Sequence, residues 1–320
     1  MQIGLLTDSF SELTREEALD AAAELGIETV EIGLGGEHGG WSPAPHADLG
    51  DLLTDPAARA QLKRDITSRG LRLTAFNASG NPLHPTEGAA DDRILRGALQ
   101  LAEEFEIGTV VTMSGLPAAA GDRFPAWITT VWPPQNLQLL DEQWNRAVDY
   151  WSGVVDEAKR RGVRIAVEMH ANQLVYSVPT LQRLRAEVGS TLGANFDPSH
   201  LIWMGADPIA AIEALGDAIY HVHAKDTRIE SAAAVRSRLE ILPNERIGER
   251  GWNYVAVGTG HPDGVAFWTR FVEALRATGY DGPLSIENED YSLGQRESVA
   301  IAVDTLTQAI ARGTEPAAAN

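Results

Sequence analysis

Apolar positions along this chain fall into two alternating patterns. Short apolar runs of strand character are each followed by a longer stretch whose apolar residues recur at helical spacing. The junctions repeat: AAELG-IETVEIG, ITSRG-LRLTAF, EEFEIG-TVVTM, AKRRG-VRIAVEM, RAEVG-STLGANF, EALG-DAIYHVH and RATG-YDGPLSIE. Each reads as a helix closed by a left-handed glycine and followed at once by a strand. The opening run IGLLTDSF brings the expected strands to eight.

Helices fill the intervals. Thr14 followed three residues later by Glu17 has the spacing of a capping box. Further helices are expected from near Thr54, Asp91, Asp141, Val178, Asp207 and Val265, and a last one from about Leu293 to Arg312. Residues 314–320 read as a frayed tail. Consecutive β-then-α units imply parallel strands with helical crossovers. At 320 residues the closed (β/α)8 TIM barrel is the leading solution and an open doubly wound sheet the second. No linker or low-complexity segment divides the chain, so one domain over residues 1–313 is expected.

The connections are unequal. Long ones follow strands, at roughly 33–53, 77–91, 115–140 and 226–264, and so emerge on the face where barrel enzymes build their sites. Two are rich in aromatic residues, FPAWITTVWPP at 124–134 and GWNYVAVG at 251–258. They fit an apolar wall or lid over a pocket, or a subunit interface.

Composition narrows the chemistry. With 26 Lys+Arg against 45 Asp+Glu the net charge is −19, which repels nucleic acid and acidic membranes. No cysteine is present, so disulfides, thiolate metal sites and cysteine nucleophiles are excluded together. The N-terminus lacks a basic region, and no apolar run approaches the length of a membrane span, so a cytoplasmic protein is expected. GLGGEHGG at 33–40 lacks dinucleotide-binding spacing, and no P-loop, H-E-x-x-H or G-x-S-x-G occurs.

Four late strands end in residues an apolar core would not select: RIAVEMH, LGANFDPSH, IYHVHAKD and LSIENED. Side chains alternate along a strand, so Glu168 shares a face with His170, and Asn195 with Asp197. The same rule groups His221, His223 and Lys225, then Ser285, Glu287 and Glu289. In a closed barrel Glu168, Asp197, His223 and Glu287 would converge near the upper rim. Three carboxylates cannot share a half-buried mouth uncompensated, and a divalent cation removes the repulsion. Oxygen-rich ligands with one imidazole favour Mn²⁺ or Mg²⁺, with Co²⁺ and Zn²⁺ also open.

Plainer roles exist for each residue. Asp197 before Pro198 fits a helix cap, and Glu287 fits an ion pair with Lys225 or Arg228. His200 suits a substrate oxygen or a core position. Lys225 suits a substrate carbonyl or a neighbouring carboxylate, and His170 and His221 suit partners that orient ligands. His38, His46, His84 and His261 lie in long loops and read as surface residues.

VEMH, NFDPSHLIWMG, HVHAKD and LSIENED, in that order and spacing, resemble the ligand strands of the xylose-isomerase-like TIM-barrel superfamily, in its sugar phosphate isomerase/epimerase branch. The resemblance covers nearly the whole chain. It implies that Glu168, Asp197, His223 and Glu287 hold one divalent metal, commonly manganese, and that the two glutamates act as an acid/base pair. It also implies that His200 contacts substrate oxygens. An arginine of the ketose epimerases has Arg228 as its nearest counterpart, though not in identical register. The superfamily also holds inosose dehydratases, endonuclease IV-type enzymes and catalytic subunits of C-glycoside deglycosidases, so fold and metal are shared more widely than reaction.

The expected activity is therefore metal-dependent isomerisation or epimerisation of a small carbohydrate, by proton abstraction beside a carbonyl through an enediolate. The alternative is a lyase using the same enolate, acting as an inosose-type dehydratase or on 3-keto-glycosides. Charge and the single constellation disfavour a nuclease, and a non-catalytic barrel would need the metal site to be degenerate. A homo-oligomer or a small accessory subunit is compatible with the aromatic loops. The absence of clustered Lys and Arg points to an unphosphorylated substrate.

Overall fold

The computed structural model describes residues 1–35 and 44–313; His38 and the expected tail at 314–320 lie outside the described residues. The barrel strands are β1 (Gln2–Leu6), β2 (Thr29–Gly33), β3 (Arg72–Asn77), β4 (Thr109–Met113), β5 (Arg164–Glu168), β6 (Leu192–Phe196) and β7 (Ile219–Ala224). After a hairpin of β8 (Asp226–Ile229) and β9 (Trp252–Val255), β10 (Pro283–Ile286) completes it. These strands are parallel and close in the order β1-β10-β7-β6-β5-β4-β3-β2, which is the TIM barrel.

Helices α1 (Arg15–Glu24), α2 (Leu49–Thr54), α3 (Pro56–Thr67), α4 (Gly88–Phe105), α5 (Gln135–Arg161) and α6 (Val178–Val188) cover the first half. They are followed by α7 (Pro198–Met204), α8 (Pro208–Leu215), the single turn α9 (Ser231–Ala234), α10 (Val265–Ala277) and α11 (Gln295–Arg312). Among the described residues no helix is long and apolar enough to cross a membrane.

Local chemistry sets the ends of these helices. Thr14 caps α1 by accepting from Glu17 N, while Glu17 accepts from Thr14 N at 2.9 Å. Gly26, Gly70, Gly162 and Gly279 take positive φ before β2, β3, β5 and β10. Before β4 the expectation fails: Glu106, not Gly108, adopts the left-handed conformation at φ 58°. Helix α5 also starts at Gln135, one turn and more ahead of Asp141, because Pro134 supplies its entry. Within the connection at 226–264, β8 and β9 pair as an antiparallel hairpin, an element that the sequence pattern does not predict.

Two apolar layers support the site from outside and below. On α5, Trp144, Ala147, Trp151, Val154, Val155 and Ala158 are buried at helical spacing against the strands. Trp151 is fully buried and donates its indole N–H to Ser114 O at 2.9 Å. Inside the barrel, Ala75, Val111 and Ala166 pack with Tyr220 in a small lower layer. Space there is limiting: a Cβ on Gly193 would lie 2.4 Å from Ala218 O and 2.5 Å from the Tyr220 ring. Above this layer the barrel interior turns polar.

Candidate active site and metal centre

Each of the four sequence-predicted ligands sits where its strand runs out. Glu168 ends β5, Asp197 follows β6, His223 lies in β7 and Glu287 follows β10. One ligand atom from each lies within 4.8 Å of the others. His223 Nδ1 is 3.0 Å from Glu168 Oε2 and 2.9 Å from Glu287 Oε2. Asp197 performs two jobs. Its Oδ1 accepts from Ser199 N at 2.7 Å as the cap of α7, and its Oδ2 faces His200 Nε2 at 3.2 Å.

The electrostatics describe a site short of positive charge. Burial alone would raise Glu168, but hydrogen bonds from His200 and His223 hold it well below the usual carboxylate range. Burial would also depress both imidazoles. Instead Glu31, Glu287 and Glu168 raise His223 well above its ordinary value, and Asp197 and Glu168 raise His200 to about 9. Both shifts have one cause, the carboxylates crowded around the two rings. Even so, the buried Asp197 Oδ2 and Glu287 Oε2 meet only an imidazole nitrogen each, His200 Nε2 at 3.2 Å and His223 Nδ1 at 2.9 Å, and neither contact has good hydrogen-bond geometry. Three carboxylates and one imidazole whose ligand atoms crowd within 4.8 Å, with two buried oxygens lacking a well-aligned donor, fit a divalent cation.

The remaining predicted residues divide. His200 is fully buried, with Nε2 3.2 Å from both Glu168 Oε1 and Asp197 Oδ2. His170 packs its ring 4.1 Å from that of His200, and burial together with the neighbouring His200 charge pushes it down to about 3. Lys225 Nζ is 3.3 Å from Glu287 and 2.9 Å from Glu289, and 4.4 Å above the Tyr254 ring. Arg228 stands apart from the others: it turns to Glu230 at 2.7 Å, a third of its side chain is in solvent, and it is not among the residues lining the cleft. It belongs to β8, in the two-stranded sheet with β9 rather than in the barrel.

A cleft of about 640 Å³ opens above the cluster. Glu168, His170, Lys225 and Glu287 form part of its floor, with Asn77 and Met113 beside them and Asp8, Glu12, Glu289 and Tyr291 among its walls. The aromatic loop at 124–134 is not among its lining residues; Phe124, Val131 and Trp132 are exposed elsewhere. The other aromatic segment does reach the site, through Tyr254 OH at 3.1 Å from His200 Nδ1. Trp252 stacks on Trp203 at 4.8 Å and fixes that hairpin to α7. His46 is buried rather than superficial, with Nε2 3.1 Å from Leu13 O, whereas His84 and His261 are half-buried and do not line the cleft.

Sequence reasoning missed Glu31. It lies in the middle of β2, fully buried, and its carboxylate receives four side chains: His221 at 2.7 Å, His223 at 3.1 Å, and Ser285 and Asn77 at 2.9 Å. The inward side of the alternation in TVEIG was the available signal.

Residues 19–309 match the family model described as "Xylose isomerase-like TIM barrel". The chain belongs to that family. It is 42% identical over 319 residues to the uncharacterized protein YfiH of Bacillus subtilis (strain 168), covering 98% of this chain and all of that one. It is 29% identical over 153 residues to an inosose dehydratase of Geobacillus thermodenitrificans (strain NG80-2), covering 47% of this chain and 49% of the dehydratase. Its fold superposes on an L-ribulose 3-epimerase with a TM-score of 0.62 at 19% identity, covering 98% of this chain and 99% of that one. The fold and a barrel enzyme with a buried His/Glu metal-site cluster are thereby in hand; the reaction is a separate question.

Proposed function

We propose that this chain is a divalent-metal-dependent isomerase or epimerase of an uncharged sugar or sugar derivative. One observation carries the reading: Glu168 and Glu287, from strands separated around the barrel by β6 and β7, bring their carboxylates to the same His223 nitrogen. A substrate held there would have a carboxylate on each side. Glu168, Asp197, His223 and Glu287 are the residues that would hold the cation, Mn²⁺ by preference. Such a cation supplies Lewis acidity and a template for two adjacent oxygens.

The protein's own groups do the rest. One glutamate takes the proton from the carbon beside the substrate carbonyl, leaving an enediolate. The other returns a proton to the opposite face for epimerisation, or the neighbouring carbon receives it for isomerisation. Lys225 and His170, which line the cleft, and His200, whose ring packs against that of His170, are the groups available to bind and orient substrate oxygens. The cleft also selects charge. Asp8, Glu12, Glu289 and Asp290 line it, and among the described lining residues Lys225 is the one Lys or Arg, which favours an unphosphorylated substrate.

The second reading is a lyase. The identity to an inosose dehydratase and the Lys225 ammonium, able to donate to a departing oxygen, favour it. In that case the α-proton goes to a glutamate and the β-substituent leaves with a proton from a nearby acid. Free ketoses and 3-keto-glycosides incubated with the enzyme and Mn²⁺ in D₂O, followed by NMR, separate the readings. Deuterium uptake without elimination supports the isomerase or epimerase; an unsaturated product supports the lyase. Neither exchange nor elimination across the panel would overturn the proposal.

A further inference from the structure

Glu31 and His221 belong to no ligand set described so far, yet they form the floor on which the metal centre stands. With His223 they make a second cluster of potential ligands, all three residues buried. Its chemistry argues against a second cation. Glu31 already faces four side-chain donors, with Ser285 Oγ and Asn77 Nδ2 each at 2.9 Å, so its charge is met from the protein.

We infer that Glu31 is the positioning residue of the metal centre: it holds the Nε2–H of His223 so that Nδ1 is the nitrogen presented to Glu168 and Glu287. The inference rests on the metal-centre reading above. The geometry is explicit. His223 Nε2 is 3.1 Å from both Glu31 oxygens, and Nδ1, on the other side of the ring, is 3.0 Å from Glu168 and 2.9 Å from Glu287. An imidazole that donates from one nitrogen offers the lone pair of the other, and an anionic acceptor makes that lone pair more basic.

The remaining contacts show how Glu31 is itself fixed. His221 Nε2 at 2.7 Å and Ser285 at 2.9 Å engage Oε2, while Asn77 engages Oε1, so neither oxygen can turn away. Asn77 closes the loop, since its Oδ1 accepts from Ser79 N at 2.9 Å. Strand registers place these groups at neighbouring levels: Ser285 pairs with His223, and Glu31 pairs with Ala75 of β3 after a register shift that leaves Thr74 unpaired. Residues from β2, β3, β7 and β10 thus converge beneath one imidazole.

The test is metal binding, read by calorimetry with Co²⁺ and by the visible Co²⁺ spectrum, on the full chain and its Glu31→Gln variant. Melting curves monitor folding. The inference expects Glu31→Gln to fold, to bind Co²⁺ about 10- to 100-fold more weakly, and to show a shifted spectrum. An unchanged affinity and spectrum in a folded variant overturns it alone. No Co²⁺ binding by the unmodified chain overturns the metal-centre reading and this inference with it. Should Glu31→Gln not fold, ¹⁵N-histidine spectra of the unmodified chain loaded with Zn²⁺ decide: His223 protonated at Nε2 supports the inference, and protonation at Nδ1 overturns it.

Discussion

The phenol of Tyr254, on the β8–β9 hairpin, lies 3.1 Å from Nδ1 of His200, on α7. This contact joins an element outside the barrel to the centre of the cluster, because the other His200 nitrogen faces Glu168 and Asp197. Tyr254→Phe removes one hydrogen bond, worth about 1 kcal/mol, and should raise KM roughly fivefold with little change in kcat. His200→Ala should weaken substrate binding further. Steady-state kinetics of both variants check this, and unchanged kinetics in His200→Ala would return that residue to a purely structural role.

Glu168→Gln and Glu287→Gln should each abolish turnover and solvent deuterium exchange while circular dichroism shows an intact barrel. Either substitution removes a proton acceptor without altering side-chain volume. Near-normal exchange in one of them would remove that residue from the acid/base pair.

Binding of a cation to the folded state alone stabilises it by mass action. Mn²⁺ at about one hundred times its Kd should add about 2.7 kcal/mol, and chelation should remove it. Thermal melts with EDTA and with Mn²⁺ measure the difference; superimposable curves would contradict a cation bound at this cluster.

Two substitutions probe the frame rather than the site. Thr14→Ala removes the cap of α1 and should cost about 1 kcal/mol. Trp151→Ala empties a fully buried position under β4 and β5 and should cost about 3–5 kcal/mol. Denaturant titration reads both, and a larger loss from the cap than from the tryptophan would invert the account of where stability resides.

Much of this was legible because the relevant signals are local. Strand and helix periods, and glycines such as Gly162 at helix ends, identify the barrel, and the alternation rule puts Glu168, His223 and Glu287 on inward faces. Glu31 escaped because its partners His221 and His223 are about 190 residues away and a single carboxylate in VEIG carries no spacing motif. The position of Arg228 was illegible for a related reason. Proximity to His223 in sequence says nothing of the hairpin that carries its side chain to Glu230. Tyr254 and the α7 turn likewise depend on how a long connection folds back, which periodicity does not encode. Residues such as His46 look superficial in a loop until the packing of that loop buries them.

The central claim is that Glu168, Asp197, His223 and Glu287 hold one divalent cation. Elemental analysis of purified protein, with the Asp197→Ala/His223→Ala double variant alongside, tests it most directly. The account predicts about one Mn²⁺ or similar ion per chain in the unmodified protein and none in the folded variant. Metal-free protein that stays metal-free after reconstitution, or equal metal in both, would contradict it.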